Sequence, residues 1–481
     1  MAEGFTFPNV RICTQAIAEE VFSQKNHNKP FIVGYDTRFL SEHFAREAAQ
    51  ILANNGIEVF LSNRDVPTPV VACEIIRVGA GGAINITASH NPFDYNGLKY
   101  STDWGGPAIP EITRSVENFI SLIIKGEIGV ITKNEDGRLA GKLIQETDFR
   151  PHYLKHIKHL LDPAAFRGHN PKIIVDVLFG TSRGYLADIL QEMGCQVEVI
   201  HNQRDVLFGG KGPDPSEAVL EKLIQEVRTK KADLGLACDG DADRFAVVDA
   251  GGYYLTPNDI LPLLARYLVQ SRGWKGIIAR SVMTTHGVDA VARKFGLEIK
   301  ETPVGFKHIG EIMKEADSIM PSNDGEFVMG AEESGGFTMR GHIPEKDGIL
   351  ACLLVAEMVA SSHKTVRELI QSLHEEVGAH FSKRINFEVT PDHVNLLKER
   401  FGSKPPTTID GLHVQRIVDI DGYKFIFFGG AWLGVRFSGT EPVIRLYLEG
   451  NSQEQLNVLA EAGKKLLDLV VASKDIKKAN Y

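Results

Sequence analysis

Residues 173–200 read IIVDVLFGTSRGYLADILQEMGCQVEVI, and this stretch decides the fold class. It opens on an apolar run at 173–177 and passes through a loop carrying Phe-Gly-Thr-Ser-Arg. It then enters a segment with apolar residues at Leu186, Ile189, Leu190 and Met193. A short apolar run bounded by turn residues reads as a buried strand, and apolar spacing of three and four reads as one face of a helix. Gly194 stops that helix, since glycine takes the left-handed terminal position most readily. Residues 197–200 resume as a strand. Such units build sheets that carry helices on their faces.

The same plan recurs twice. Residues 31–33 lead through a Gly/Asp/Thr/Arg loop and an amphipathic run ending at Gly56 to a strand at 57–61. Residues 276–279 lead through Arg280-Ser-Val-Met-Thr-Thr-His-Gly and a helical run ending at Gly296 to a strand at 297–300. The pattern predicts an α/β protein of three related α/β domains with mixed sheets, near 1–150, 151–255 and 256–375. The remainder, near 376–481, alternates strand-like runs at 385–389, 424–428, 432–437 and 443–448 and ends in an amphipathic helix around 454–471. It reads as a smaller C-terminal α+β domain. A chain of 481 residues suits several domains rather than one.

Composition narrows the function. The formal charge is −9, which gives no electrostatic footprint for nucleic acid. The five cysteines, Cys13, Cys73, Cys195, Cys238 and Cys352, are scattered. That spacing argues against a disulfide framework or a zinc site and fits a reducing cytoplasm. The N-terminus lacks a basic-then-apolar signal pattern. The apolar stretch 348–360 contains Glu357 and is too short to span a bilayer. A soluble cytoplasmic protein, monomer or small homo-oligomer, without membrane or nucleic-acid partners is expected.

Four motifs carry the chemistry. Residues 84–92 read Ile-Asn-Ile-Thr-Ala-Ser89-His90-Asn91-Pro92. The apolar run delivers a hydroxyl and an imidazole into a turn, where a nucleophile can stand beside a proton carrier. Ser, Asn and Pro are also ordinary turn residues. Residues 238–244 read Cys-Asp239-Gly-Asp241-Ala-Asp243-Arg244, between the apolar runs 234–238 and 245–248. Carboxylates this close repel one another, and a hard divalent cation such as Mg2+ relieves the repulsion. A calcium loop is discounted, because the twelfth position from Asp239 is Ala250 rather than Glu. Gly330-Ala-Glu332-Glu333-Ser334-Gly335-Gly336 offers acceptors for sugar hydroxyls, or is an exposed acidic turn. Arg436-Phe-Ser438-Gly439-Thr440-Glu-Pro442 offers a guanidinium, hydroxyls and a bare backbone, which together suit a phosphate oxyanion.

Together, and in this order from about residue 5 to about residue 450, the four motifs resemble the α-D-phosphohexomutase family of phosphoglucomutases, phosphomannomutases and phosphoglucosamine mutases. The resemblance implies four domains around a central cleft and an intramolecular phosphotransferase acting on sugar phosphates. Ser89 would carry the phosphoryl group, and hexose 1,6-bisphosphate would be the intermediate, with glucose 1,6-bisphosphate as activator. Mg2+ would be held by Ser89, Asp239, Asp241 and Asp243, with Arg244 adding positive charge. The resemblance gives His90 and Lys99 acid–base roles, which the residues alone do not require. It gives Glu332 and Ser334 to sugar hydroxyls, and Arg436, Ser438, Gly439 and Thr440 to the non-reacting phosphate. Lys307, in Gly305-Phe306-Lys307-His308, would touch substrate. Arg38 would pair with Asp36 or line the cleft. Glucose is the expected hexose, since the acidic loop and Phe306-Lys307 look glucomutase-like. Glu333, where phosphoglucosamine mutases usually carry Gln, disfavours the amino sugar. Family members open with a Gly-Thr-Arg strand and turn ahead of the equivalent of Phe5. This sequence begins past it, which leaves open a misassigned start, a truncated product or a genuine loss with a weakened first domain. The alternatives to a glucose mutase are a phosphomannomutase, a phosphoglucosamine mutase or a weakly active sugar-phosphate-binding paralogue. The segment Arg340 to Gly348 receives no role from sequence.

Overall fold

The computed structural model describes residues 4–133, 140–322, 325–403, 405–437 and 443–468. The chain divides into two compact units. The first comprises Met1–Thr256, Phe306–Gly330 and Ser334–Val366, and the second Pro257–Gly305, Ala331–Glu333 and Arg367–Tyr481.

The first unit holds two five-stranded sheets. One has the order β4-β3-β1-β2-β5, with β1 Phe31–Tyr35, β2 Val59–Ser62, β3 Gly82–Ile86, β4 Leu98–Thr102 and β5 Ile144–Thr147. Its strands run parallel except for the antiparallel β3–β4 pair, in which Ile86 lies opposite Leu98. The helices Phe7–Ser23 and Ser41–Asn54 contribute Val10, Ile17, Phe44, Ala48 and Leu52 to a core shared with β1, β2 and β3. Burial of that apolar surface is the main force holding such layers together. The first helix starts at a Thr6 cap whose hydroxyl accepts from Asn9 N–H.

The second sheet has the order β10-β9-β8-β6-β7, with β6 Lys172–Asp176, β7 Gln196–Ile200, β8 Leu234–Cys238, β9 Phe245–Asp249 and β10 Tyr253–Leu255. Here β6 pairs in parallel with β7 and β8, while β8–β9 and β9–β10 are antiparallel. Both sheets are therefore mixed, as expected. The helix Gly348–Ser362 belongs to this unit and is buried from Gly348 to Ala360. That burial explains its largely apolar sequence, and no single helix among the described residues is long and apolar enough to cross a membrane.

The second unit pairs Ile277–Ser281 in parallel with Glu298–Thr302, joined by the helix Gly287–Phe295. Gly296 ends that helix in the left-handed conformation, as the glycine-stop reading requires. Its C-terminal part is an antiparallel sheet in the order Phe381–Glu388, Val443–Gly450, Trp432–Phe437, Tyr423–Phe427, Leu412–Val418, Thr408–Ile409. The helices Pro391–Ser403 and Gln453–Asp468 add Leu397, Phe401, Leu456, Leu459 and Leu466 to its core. Phe381–Glu388 begins four residues before the expected strand, and all five cysteines are free thiols.

Candidate active site

Two loops of the first unit meet. The loop between β3 and β4 carries Ser89, and the loop between β8 and β9 carries the three aspartates. Ser89 Oγ donates to Asp239 Oδ2 at 3.1 Å. Close approach of the two backbones depends on Gly240, where a Cβ would lie 2.9 Å from the Ser89 carbonyl oxygen.

Ser89 adopts a φ of +53°, a left-handed conformation that costs a non-glycine residue of order 1 kcal/mol. Its surroundings impose it. The Ser89 N–H donates to Thr87 Oγ1 at 2.9 Å, and the Ser89 carbonyl accepts from Arg38 Nη2 at 2.7 Å. The buried Arg38 guanidinium also donates to the carbonyls of Asn91, Pro92 and Tyr95, at 2.7, 2.7 and 3.0 Å. Its Nε pairs with Asp36 at 2.9 Å, and Asp36 accepts from Thr87 and Ser41 as well. Burial raises the Asp36 carboxyl against the lowering pull of Arg38. Arg38 thus pairs with Asp36 and also fixes the shape of the whole Ser89 loop.

The three aspartates are fully buried, and one carboxylate oxygen from each falls within 4.8 Å of the others. A φ of +59° at Ala242 folds the loop back on itself. Asp239 Oδ1 accepts from the Arg244 N–H at 3.0 Å, and Asp241 Oδ2 accepts from Thr68 Oγ1 at 2.6 Å. Lys99 Nζ bridges Asp241 and Asp243 at 2.7 and 3.0 Å, and Lys346 Nζ sits 2.9 Å from Asp243. The Arg244 guanidinium lies 3.8 Å from Asp214 and 3.9 Å from Asp243. Burial pushes Asp239 well up, reinforced by Asp243 and Asp241. Asp243 is also pushed up by burial, yet Lys346, Lys99 and Arg244 overcome this and hold it below the usual carboxylate range. Burial depresses the Lys99 ammonium, and the two aspartates more than reverse that, raising it above its ordinary value. His90 Nδ1 lies 3.5 Å from Ser89 Oγ. Burial, aided by Arg244, pushes that imidazole well below its ordinary value and keeps it neutral.

Asp241 Oδ1 and Asp243 Oδ1 are buried without any hydrogen-bond partner. Unpaired buried carboxylate oxygens are costly, and an all-oxygen set of three carboxylates suits a hard divalent cation. The residues present therefore fit a metal site.

Lys307 and Ser334 are half-buried residues of the same unit. In the second unit, Glu332 is buried and accepts from the Gly305 N–H at 2.7 Å, so it is no exposed acidic turn. Arg436 Nε donates to Asp421 at 3.0 Å, and Asp421 also accepts from the Val304 N–H at 3.1 Å. The turn at Val304 and Gly305 is thereby gripped by the carboxylates beside Arg436 and at Glu332. Ser438, Gly439 and Thr440 lie outside the described residues.

Sequence reasoning missed Lys346 and Thr68. The signal for Lys346 was its position in a charged run directly before a largely apolar helix. Thr68 gave none, since threonine at a helix start is ordinary.

Segments 1–125, 151–252, 256–377 and 385–465 match the phosphoglucomutase/phosphomannomutase models for α/β/α domains I, II and III and for the C-terminal domain. This chain belongs to that family, and it is an enzyme. It is 29% identical over 455 residues to a phosphoglucomutase/phosphomannomutase of Thermococcus kodakarensis, covering 93% of this chain and 92% of the relative. It is 28% identical to a phosphoglucosamine mutase of Caldicellulosiruptor bescii, covering 92% and 91%. A solved structure from Thermus thermophilus, described as a candidate phosphomannomutase, superposes with a TM-score of 0.82 at 28% identity, covering 97% of this chain and 96% of that one.

Proposed function

We propose that this enzyme interconverts hexose 1-phosphate and hexose 6-phosphate, with glucose preferred, through a phosphoserine at Ser89 and a hexose 1,6-bisphosphate. One observation carries the reading: the Ser89 hydroxyl is bonded to a buried carboxylate triad that still has unpaired oxygens. Asp239, Asp241 and Asp243 would hold Mg2+ beside the phosphorylated Ser89, and the cation would neutralise charge on the phosphoryl oxygens.

The charge balance supports this. Three cations, Lys99, Lys346 and Arg244, stand among the three carboxylates, with Asp214 facing Arg244 as a further acid. A phosphoryl group of about −2 and a divalent cation enter together without upsetting that balance.

In the first transfer, the Ser89 Oγ–P bond breaks as a sugar hydroxyl oxygen bonds to phosphorus. The hydroxyl proton passes to a base, and the departing Ser89 Oγ takes up a proton from an acid. In the second, after the bisphosphate has turned around, the Ser89 hydroxyl gives its proton to a base as Ser89 Oγ bonds to the other phosphorus, the sugar O–P bond breaks, and the leaving sugar oxygen takes up a proton. His90, whose Nδ1 lies 3.5 Å from Ser89 Oγ, and Lys99, which bridges Asp241 and Asp243, are assigned the acid–base roles. Lys307, Glu332 and Ser334 are assigned to the sugar, and Arg436, Ser438, Gly439 and Thr440 to the non-reacting phosphate. Glucose 1,6-bisphosphate would prime the serine. The domains are taken as 1–150, 151–255, 256–375 and 376–481.

The test is conversion of glucose 1-phosphate to glucose 6-phosphate with Mg2+ and a trace of glucose 1,6-bisphosphate, with mannose 1-phosphate and glucosamine 1-phosphate in parallel. Turnover fastest on glucose and abolished by EDTA is expected. Faster turnover of another hexose overturns the substrate assignment, and none on any of the three overturns the function.

A further inference from the structure

Lys346 stands at the triad because of groups that the reading above does not use. Its stem crosses Gly336, where a Cβ would lie 2.6 Å from Lys346 Cδ and 3.3 Å from the Phe306 ring. A side chain at 336 and the observed Lys346 cannot both be accommodated, since carbon contacts favour about 3.5–4.0 Å.

The next residue, Asp347, is fully buried and fully committed. Its Oδ1 caps the helix Gly348–Ser362 by accepting from Leu350 N–H at 2.9 Å. Its Oδ2 accepts from Tyr153 OH at 2.7 Å and from His342 Nε2 at 2.8 Å. Behind it, His342 Nδ1 lies 3.0 Å from His156 Nε2, and the two rings stack at 5.2 Å with 6° between their planes. The carboxylate only accepts, so His342 carries a proton on Nε2, and its Nδ1 shares a hydrogen bond with His156 Nε2. His156 remains neutral, because burial pushes it down to about 3. Two backbone bonds complete the clamp: Asp347 N–H to Phe337 O at 2.9 Å, and Gly348 N–H to Ala242 O at 3.0 Å. The second ties the segment to the aspartate loop itself.

We propose that His342, acting through Asp347, and the bare backbone of Gly336 are positioning elements that hold the Lys346 ammonium on Asp243 and so set how tightly the triad binds a divalent cation. The proposal rests on the reading of the triad as a cation site. It gives the 340–348 segment a role: it delivers one of the cluster's three cations. An ammonium pinned on Asp243 competes with the metal for that carboxylate, and its departure tightens metal binding.

The test is a double-mutant cycle on Mn2+ affinity, measured by calorimetry on the full chain, with mutase turnover read beside it. Lys346→Met is expected to tighten Mn2+ several-fold and to lower kcat. His342→Phe, which removes the donor to Asp347, is expected to move both readings the same way with little change in KM. In the Lys346→Met background His342→Phe is expected to add nothing, since linked residues are non-additive. His342→Gln, which keeps an N–H donor, is expected to restore part of both. A folded His342→Phe protein with unchanged Mn2+ affinity overturns the proposal, and so do effects that add fully to those of Lys346→Met. If His342→Phe does not fold, Gly336→Ala carries the test, because it displaces the Lys346 stem and leaves the relay intact; unchanged Mn2+ affinity there overturns it. Mn2+ binding that shows the cycle in a protein turning over no hexose phosphate overturns the mutase function and supports the positioning. Mn2+ binding that does not weaken in Asp241→Asn overturns both.

Discussion

Two buried charge clusters, one in each unit, are built from similar residues and end in different states. In the first unit, Asp239, Asp241 and Asp243 meet Lys99, Lys346 and Arg244, and two carboxylate oxygens are left without a hydrogen-bond partner. In the second, Lys424 is fully buried, donates to Val282 O at 2.6 Å and to His286 Nε2 at 2.8 Å, and lies 4.1 Å over the Trp432 ring. Glu449 there accepts from Trp432 Nε1 at 2.9 Å and from the His286 N–H at 3.0 Å. Lys424, His286, Trp432 and Glu449 are thus linked by hydrogen bonds that tie sheet to loop. The comparison teaches that burial of charge does not mark a site by itself. What sets the first cluster apart is that its unpaired oxygens belong to three carboxylates gathered within 4.8 Å beside a hydroxyl, whereas other buried unpaired atoms such as Asp176 Oδ2 stand singly.

The comparison can be broken at several points. Ser89→Ala should abolish mutase turnover, by at least about a thousand-fold, while circular dichroism stays unchanged. Comparable loss on disturbing Lys424 would erase the distinction between the clusters. Metal removal comes next: Asp241→Asn should weaken Mg2+ binding by at least about ten-fold, measured by calorimetry, and the wild type stripped with EDTA should lose turnover until Mg2+ returns. Arg38→Lys keeps the charge but loses the fork that holds four carbonyls. It should lower kcat about ten-fold or more and cost about 2–4 kcal/mol of stability in urea melts.

The smallest effect on turnover belongs to Lys424. Burial, with Arg280 adding to it, pulls its amine down to about 7 from 10.5. The unfolded chain therefore holds more protons than the folded one between those values, so folding stability rises with pH across that window and the contribution is absent below about 7. Against Lys424→Met, the wild type should gain about 2–4 kcal/mol of unfolding free energy between pH 7 and 10. Turnover of the variant should stay within about two-fold. A flat difference would mean the amine stays charged on Trp432.

Much of this was legible in sequence. The strands at 234–238 and 245–249 stood out as apolar runs bracketing the aspartates, and the glycine stops at Gly56, Gly194 and Gly296 all carry a positive φ. The Ser89 and aspartate loops were found because small polar residues interrupt strongly apolar strands there. What failed to show was anything decided by distant partners. The fourfold carbonyl grip of Arg38, the Thr68 contact with Asp241 and the Asp347 relay join residues far apart in the chain. Periodicity cannot report such pairings. Glu332 reads as a surface acid until Gly305 is seen to donate to it.

The most direct measurement follows the phosphoryl group. The protein would be incubated with 32P-labelled glucose 1,6-bisphosphate and Mg2+, digested, and then a parallel sample chased with unlabelled glucose 1-phosphate. The account predicts label on the peptide containing Ser89, none in Ser89→Ala, and its quantitative return to hexose phosphate in the chase. Label that never forms, or that forms and stays through the chase, would contradict it.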